Sequence, residues 1–403
     1  MRQDQQFLTS LVSEAVARDC AEMPERAGAA DAAYVPLHAA VLLLDIAGFT
    51  PMTERFEGMG PDGVEQLTGT LNRHFGRMID QILDSGGEID KLIGDALLAY
   101  WVASDVRDLP RAVRRAASAA AELQDDLSDA RLGDGSRLSL HATIAAGPVQ
   151  RVYVGGHEGH RLQFLAGAPL VSLRSLPAGA KPGEIVLDAM AADCVETVWP
   201  LRRLPGGNAC LSVTHVMTAA AKSSIGSKRA EAGPTPAPPQ DPAMLERFFH
   251  RALRGQIATG QGAWLAELRQ LTTAFVSLDA VFGGPGGDLA MLQARVLAIQ
   301  AIVHDFGGAV QSLTVDDKGT VLMAAFGLPM LSHEDDAVRA VAAMHRVAGL
   351  FDRSAPKVDA PDIADAARRG DWTVQPVGRG VGIGTGTMFC GFLGNDRWRS
   401  FSV

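Results

Sequence analysis

A chain of 403 residues is longer than one ordinary compact domain and points to two or three. Its composition, 47% hydrophobic and 21% charged, is that of a globular protein, and a net charge of −9 argues against a global electrostatic drive toward nucleic acid or an anionic membrane. The four cysteines, Cys20, Cys194, Cys210 and Cys390, form no CxxC pair, which argues against a disulfide framework or zinc ribbon and for buried small apolar groups in a reducing compartment.

In chain order, Phe7, Leu8, Leu11, Val12, Ala15 and Val16 recur at helical spacing and predict an amphipathic helix over residues 5–20, whose apolar face needs a partner. This segment lacks the apolar run of a secretory leader, and no run of about 18 apolar residues occurs anywhere, so a cytoplasmic protein without a membrane partner is expected. From Ala39 the run AAVLLLDIAGF reads as a buried strand that breaks at Gly48, and a helical or irregular segment starts at Pro51. A helix over about 64–85 carries Leu67, Leu71, Phe75, Met78, Ile79 and Ile82 on one face and stops at Gly86-Gly87. Strands over 88–92 and 96–101 flank a Gly94-Asp95 turn, giving a hairpin. A helix over about 110–129, a strand over about 138–146, and a strand, Gly167 turn and helix over 161–176 complete an α+β pattern.

Residues 218–242, rich in Ala, Ser, Gly and Pro and without periodicity, read as a linker. Beyond it the order repeats: a strand over 273–278, a helix over 289–306, Gly307-Gly308, a strand pair ending in 320–326, a helix, and a strand over 381–385. The segment SGGEIDKLIGDALLAY from Ser85 is echoed by FGGAVQSLTVDDKGTVLMAAF from Phe306, which carries Lys318 in its turn and no matching Asp. The expected organisation is a segment 1–34, a first domain 35–217, the linker 218–242 and a degenerate second domain 243–403.

Two aspartates carry the chemical signal. Asp45 ends an apolar strand; alone it reads either as a cap for the next helix or as a cation ligand beside a Gly48 turn whose N–H groups could face an anion. Asp95 reads either as an ordinary turn residue or as a second ligand. Two carboxylates at neighbouring strand tips repel each other unless a cation lies between them, and hard divalent cations bridging to phosphates suit such a pair. The histidines show no HExxH spacing and no clustering with Cys, so histidine-metal chemistry is not expected, and the glycine-rich GTGTMFCGFLG run lacks the context of a Walker loop. The run His333-Glu334-Asp335-Asp336 reads as the charged first turn of a helix.

VLLLDIAGFTPMTERF followed by GGEIDKLIGDALLAYW resembles the catalytic domain of class III adenylyl and guanylyl cyclases, and DDKGTVLMAAFGLP, HEDDAVRAV and VGIGTGTMFCGFLGN resemble the second of the tandem catalytic domains in bicarbonate-responsive soluble adenylyl cyclases. The resemblance covers roughly 35–403 apart from the linker, and implies two ferredoxin-like domains in pseudo-twofold tandem, paired within one chain around ATP. It implies that Asp45, the Ile46 carbonyl and Asp95 hold two Mg²⁺ or Mn²⁺ ions and that the Gly48, Phe49 and Thr50 backbone cradles phosphate, as ATP becomes 3′,5′-cyclic AMP and pyrophosphate. Ser402 matches a purine-reading position, with Lys318 as candidate partner beside the reading of a solvated turn lysine; the aligned strand position is Ser312. Lys91 and Arg174 match a bicarbonate-binding pair, against the alternative of a local salt bridge and a surface helix residue. Family members continue past the Ser402 position into a helix with an Asn and a transition-state Arg; this chain stops at Val403, so the second domain reads as truncated. The rival reading is a non-catalytic ATP- or anion-sensing module. A guanylyl cyclase fits less well, because guanine-reading members use Glu and Cys where this chain has Ser312, Lys318 and Ser402.

Overall fold

The computed structural model describes residues 2–24, 31–47, 61–128, 139–176, 181, 183–223, 241–259, 266–278, 288–316, 319–351 and 380–403. Strands β1 (Ala33–Ala47), β2 (Glu88–Ile93), β3 (Ala96–Ala103), β4 (Ser139–Gly155), β5 (Arg161–Gly167), β6 (Glu184–Leu187), β7 (Leu201–Arg203) and β8 (Ala209–Ser212) form one sheet in the order β2-β3-β1-β4-β6-β8-β7, with β5 on the far part of β4. Strands β9 (Glu267–Ser277), β10 (Ala309–Asp316), β11 (Gly319–Phe326), β12 (Val381–Gly394) and β13 (Arg399–Ser402) form a second, in the order β10-β11-β9-β12-β13. The order β2-β3-β1-β4 thus recurs as β10-β11-β9-β12.

The central strand β1 is apolar on both alternating sets because both of its faces are covered. Ala40, Leu42 and Leu44 join a core with Leu71, Phe75 and Met78 of the helix Pro61–Asp84. Ala39 and Val41 face the other way, into a core shared with Val276, Ile299 and Leu313 of the second half. Truncating such a side chain, as in Leu42→Ala, costs about 2–5 kcal/mol.

The two Gly-Gly helix stops fold identically. Gly86 (φ 74°) and Gly307 (φ 85°) take the left-handed position, and the next residues close the helix with Gly87 N–H to Ile82 O (2.8 Å) and Gly308 N–H to Val303 O (2.9 Å). The second glycine serves close approach: a Cβ on Gly87 would lie 2.7 Å from Trp101, and one on Gly308 would lie 2.6 Å from Phe326.

Several elements exceed or depart from the sequence expectation. The amino-terminal helix is two helices, Arg2–Ser10 and Glu14–Glu22, because the Ser13 side chain caps the second by accepting from Val16 N–H (3.3 Å). Their apolar face docks on Tyr153, Leu245 and Phe249, and Asp19 is held by buried Arg151 (2.7 Å) and the Tyr153 hydroxyl (2.6 Å). Strand β4 runs through Gly147-Pro148 to Gly155 because the early part of β1 pairs with it, Ala33 opposite Tyr153. The helix expected at His333 starts instead at Asp336, whose carboxylate accepts from His333 N–H (2.8 Å). A helix Val213–Ser223 runs into the Ala-rich stretch. Cys20, Cys210 and Cys390 are buried thiols, and all four cysteines are free. No described helix is long and apolar enough to cross a membrane.

The halves meet along two seams of matching topology. The helix Leu289–Asp305 lies against the β4–β5 turn, where Gln293 exchanges two hydrogen bonds with Gly155 (2.8 and 3.0 Å) and Gln300 accepts from Gly156 N–H (3.1 Å) and donates to His160 O (2.9 Å). Reciprocally, the helix Pro61–Asp84 lies against the β12–β13 turn, where Asn395 donates to Gly76 O (3.1 Å) and Asp80 (3.0 Å) and Arg397 bridges Asp80 (3.2 Å) and Asp84 (2.9 Å).

Candidate functional site

Sheet register brings the two aspartates together. Asp45 pairs with Ala96 of β3, the residue next to Asp95, and with His141 of β4. Gly94 (φ 62°) makes the tight β2–β3 turn that carries Asp95. Strand alternation puts Asp45 on the same face as Ala39 and Val41, the face turned toward the second half. Burial pushes the half-buried Asp45 carboxyl above the usual carboxylate range, and the Asp95 charge pushes it further, with His141 acting the other way. That mutual repulsion is a mismatch which a divalent cation would relieve, and oxygen donors suit a hard ion. The Asp45 and Asp95 carboxylates are therefore chemically fitting donors for such an ion.

Beside the pair, a cavity of about 1130 Å³ opens between the two sheets. From the first half Lys91 and Asp95 line it; from the second, Ser312, Thr314, Phe401 and Ser402 do. Lys91 reaches across the interface: its ammonium donates to Gln163 O (3.2 Å) and to Leu313 O (2.6 Å) and lies 3.6 Å from Asp90. Asp90 is the extra residue of a bulge in β2 that shifts the register between Ile89 and Lys91. Its side chain is fully buried, and its other oxygen accepts from Gln163 Nε2 (2.8 Å). Sequence reasoning missed Asp90 and Gln163, since no strand pattern reveals a bulge.

No protein-family profile matches the chain. Human adenylate cyclase type 10 is 23% identical over 388 residues, which cover 90% of this chain and 23% of that protein. The rat protein of the same name is 22% identical over 394 residues, again 90% of this chain and 23% of the relative. This chain thus spans about a quarter of the length of these relatives. A solved class III adenylyl cyclase-like ATP-binding protein from Pseudomonas aeruginosa superposes with a TM-score of 0.58 over 92% of this chain and 80% of its own, at 12% identity. The chain resembles the class III nucleotide cyclases.

Within this cyclase-like scaffold, Asp45, Ile46 and Asp95 cluster at one end of the first sheet, while Ser402 and the strand position Ser312 line the cavity from the second. Lys91 lines it too, in the salt bridge with a neighbouring carboxylate that was one of its two readings. Arg174 lies on the helix Ala168–Ser175 that follows the Gly167 turn. Gly48, Phe49, Thr50 and Lys318 lie outside the described residues.

Proposed function

We propose that this chain is an adenylyl cyclase core, its two sheets belonging to a pseudo-twofold pair of ferredoxin-like cyclase domains that take ATP between them. The observation that carries this is the electrostatically coupled Asp45–Asp95 pair, of which Asp95 lines the inter-sheet cavity. At about 1130 Å³ that cavity is ample for a nucleotide, ligand sites running roughly 300–1,000 Å³.

Asp45, Asp95 and the Ile46 carbonyl would hold two Mg²⁺ or Mn²⁺ ions, which would supply Lewis-acid activation of the ribose 3′-hydroxyl and charge neutralisation of the triphosphate. The backbone of Gly48, Phe49 and Thr50 cradles the phosphates. Ser402 and Lys318 read the adenine edge. The ribose 3′-hydroxyl loses its proton to solvent as its oxygen bonds to the α-phosphorus, the bond from that phosphorus to the bridging α–β oxygen breaks, and 3′,5′-cyclic AMP and pyrophosphate form. Lys91 and Arg174 form the bicarbonate site, where the anion competes with the Gln163 and Leu313 carbonyls for the Lys91 ammonium. In that competition lies a mechanism for regulation: bicarbonate that withdraws Lys91 from Leu313 loosens the tie between the halves.

The likeness to the cyclase-like ATP-binding protein from Pseudomonas aeruginosa favours a second reading, an ATP-sensing module without turnover. Cyclic AMP formation with Mn²⁺, beside calorimetric titration with ATP, separates the two. Turnover that falls at least about a hundredfold in Asp45→Asn supports the cyclase, by the usual cost of removing one preorganised charge from a reacting centre. ATP binding without turnover in the unmutated protein supports the module, and neither binding nor turnover defeats both.

A further inference from the structure

On the far side of the interface from the aspartate pair, three side chains with metal-ligating atoms converge. We propose that His157, Glu158 and His304 form a site for a zinc-class divalent transition metal, clamping the β4–β5 turn of the first half to the long helix of the second. One ligating atom from each residue lies within 4.8 Å of the other two. Tetrahedral zinc with ligands at about 2.0–2.1 Å separates them by roughly 3.4 Å, so a small rotation of the two rings and the carboxylate completes the geometry.

Independent features agree. The imidazoles of His157 and His304 meet edge to face with centroids 5.1 Å apart, one from each half. His157 Nε2 is buried and, among the described residues, has no hydrogen-bond partner, an arrangement that is costly unless something else satisfies the atom. A cavity of about 30 Å³ lies at this point, lined by all three residues and large enough for an ion or a water. Glu158 stands in the left-handed region (φ 52°), uncommon for a residue with a side chain, between Gly156 and Gly159, which also have positive φ.

The neighbouring charges select the metal. Arg254 donates to Glu158 O (3.0 Å) and Arg251 to His304 O (3.2 Å), placing two guanidinium groups beside the site. Glu158 and Asp305 offset them, so no strong negative field draws in a hard ion. Two imidazole nitrogens and one carboxylate suit Zn²⁺, Co²⁺ or Ni²⁺ and disfavour Mg²⁺ or Ca²⁺. The site is thereby distinct in chemistry as well as in place from the Asp45–Asp95 pair, and does not depend on the cyclase reading.

The test is titration of the 403-residue chain with Zn²⁺ in excess Mg²⁺ and without nucleotide, followed by calorimetry and, with Co²⁺, by visible absorption. One ion binds per chain; His157→Gln and His304→Gln each weaken binding more than tenfold and abolish the Co²⁺ d–d bands, whereas His345→Gln changes neither. Zn²⁺ raises the melting temperature of the unmutated protein and not that of the two variants. Circular dichroism of the metal-free variants reports their fold, and if His304→Gln does not fold, His157→Gln on the turn carries the test. Absence of Zn²⁺ binding overturns the proposal. So does binding that survives in the His157→Gln/His304→Gln double variant, or that disappears only in Asp45→Asn, which would assign the ion to the carboxylates.

Discussion

The two seams between the halves have the same topology and opposite chemistry. Where Leu289–Asp305 meets the β4–β5 turn, buried amides hold backbone groups beside buried imidazoles: Gln293, Gln300, His160 and His250 are all buried. Where Pro61–Asp84 meets the β12–β13 turn, a partly buried asparagine and an exposed arginine bridging two carboxylates make the contact. Repeated topology thus fixes which helix meets which turn, while the side chains decide how the contact answers to acid, salt and metal. The first seam is built to be sensitive to protons and the second to ionic strength.

The largest expected break of this comparison is acid. Burial pushes both His160 and His250 down to about 3, with the charges of Arg254 and, for His160, of His250 adding to the effect. Both are neutral in the fold, and His250 Nδ1 needs to be unprotonated to accept from Leu253 N–H (3.3 Å). A group with a depressed histidine pKa takes up protons on unfolding, so its stability is full above about pH 6.5 and is lost as pH falls toward about 3. By linkage each histidine removes about 2 kcal/mol by about pH 5. Urea midpoints should fall steeply across this window, and less steeply in His160→Gln; a flat profile would remove the proton-sensitive seam.

Next in size is Gln300→Leu. It strips partners from Gly156 N–H, His157 N–H and His160 O at once, for an expected loss of about 2–3 kcal/mol in denaturant unfolding. Asn395→Ala, at the matching place in the other seam, removes contacts to Gly76 and Asp80 that are only partly buried and costs about 1 kcal/mol. Equal losses for these two substitutions would show the seams to be alike. The smallest effect belongs to Arg397→Ala: an ion pair this exposed contributes under about 1 kcal/mol, and the difference from the unmutated protein should vanish in about 1 M salt.

Much of the fold was legible in the residues because it rests on local rules. Leu67 to Ile82 at helical spacing, the Gly-Gly stops and the Gly94-Asp95 turn each announce an element through side-chain periodicity or a required positive φ, and all are found. The short strands β6, β7 and β8 were not legible, since three or four residues are too few to show alternation. Nor was the first part of β1, where Pro36 and His38 interrupt the apolar pattern and pairing with β4 supplies the extended conformation.

The candidate site divides in the same way. Asp45 and Asp95 stand out in the sequence as carboxylates at the ends of apolar strands, but they are 50 positions apart and only the antiparallel register that sets Asp45 opposite Ala96 makes them electrostatic partners. The sequence by itself determined the longer apolar strands, the Gly94-Asp95 turn, the repeated Gly-Gly hairpins and the resemblance to class III cyclases, because these depend on neighbours along the chain. Only the tertiary structure decided that Lys91 spans to Leu313 and that His157 and Glu158 stand against His304, almost 150 residues later. Such contacts arise from how two sheets and their helices bury a common apolar face, and no spacing in the sequence records which polar groups that burial will bring together.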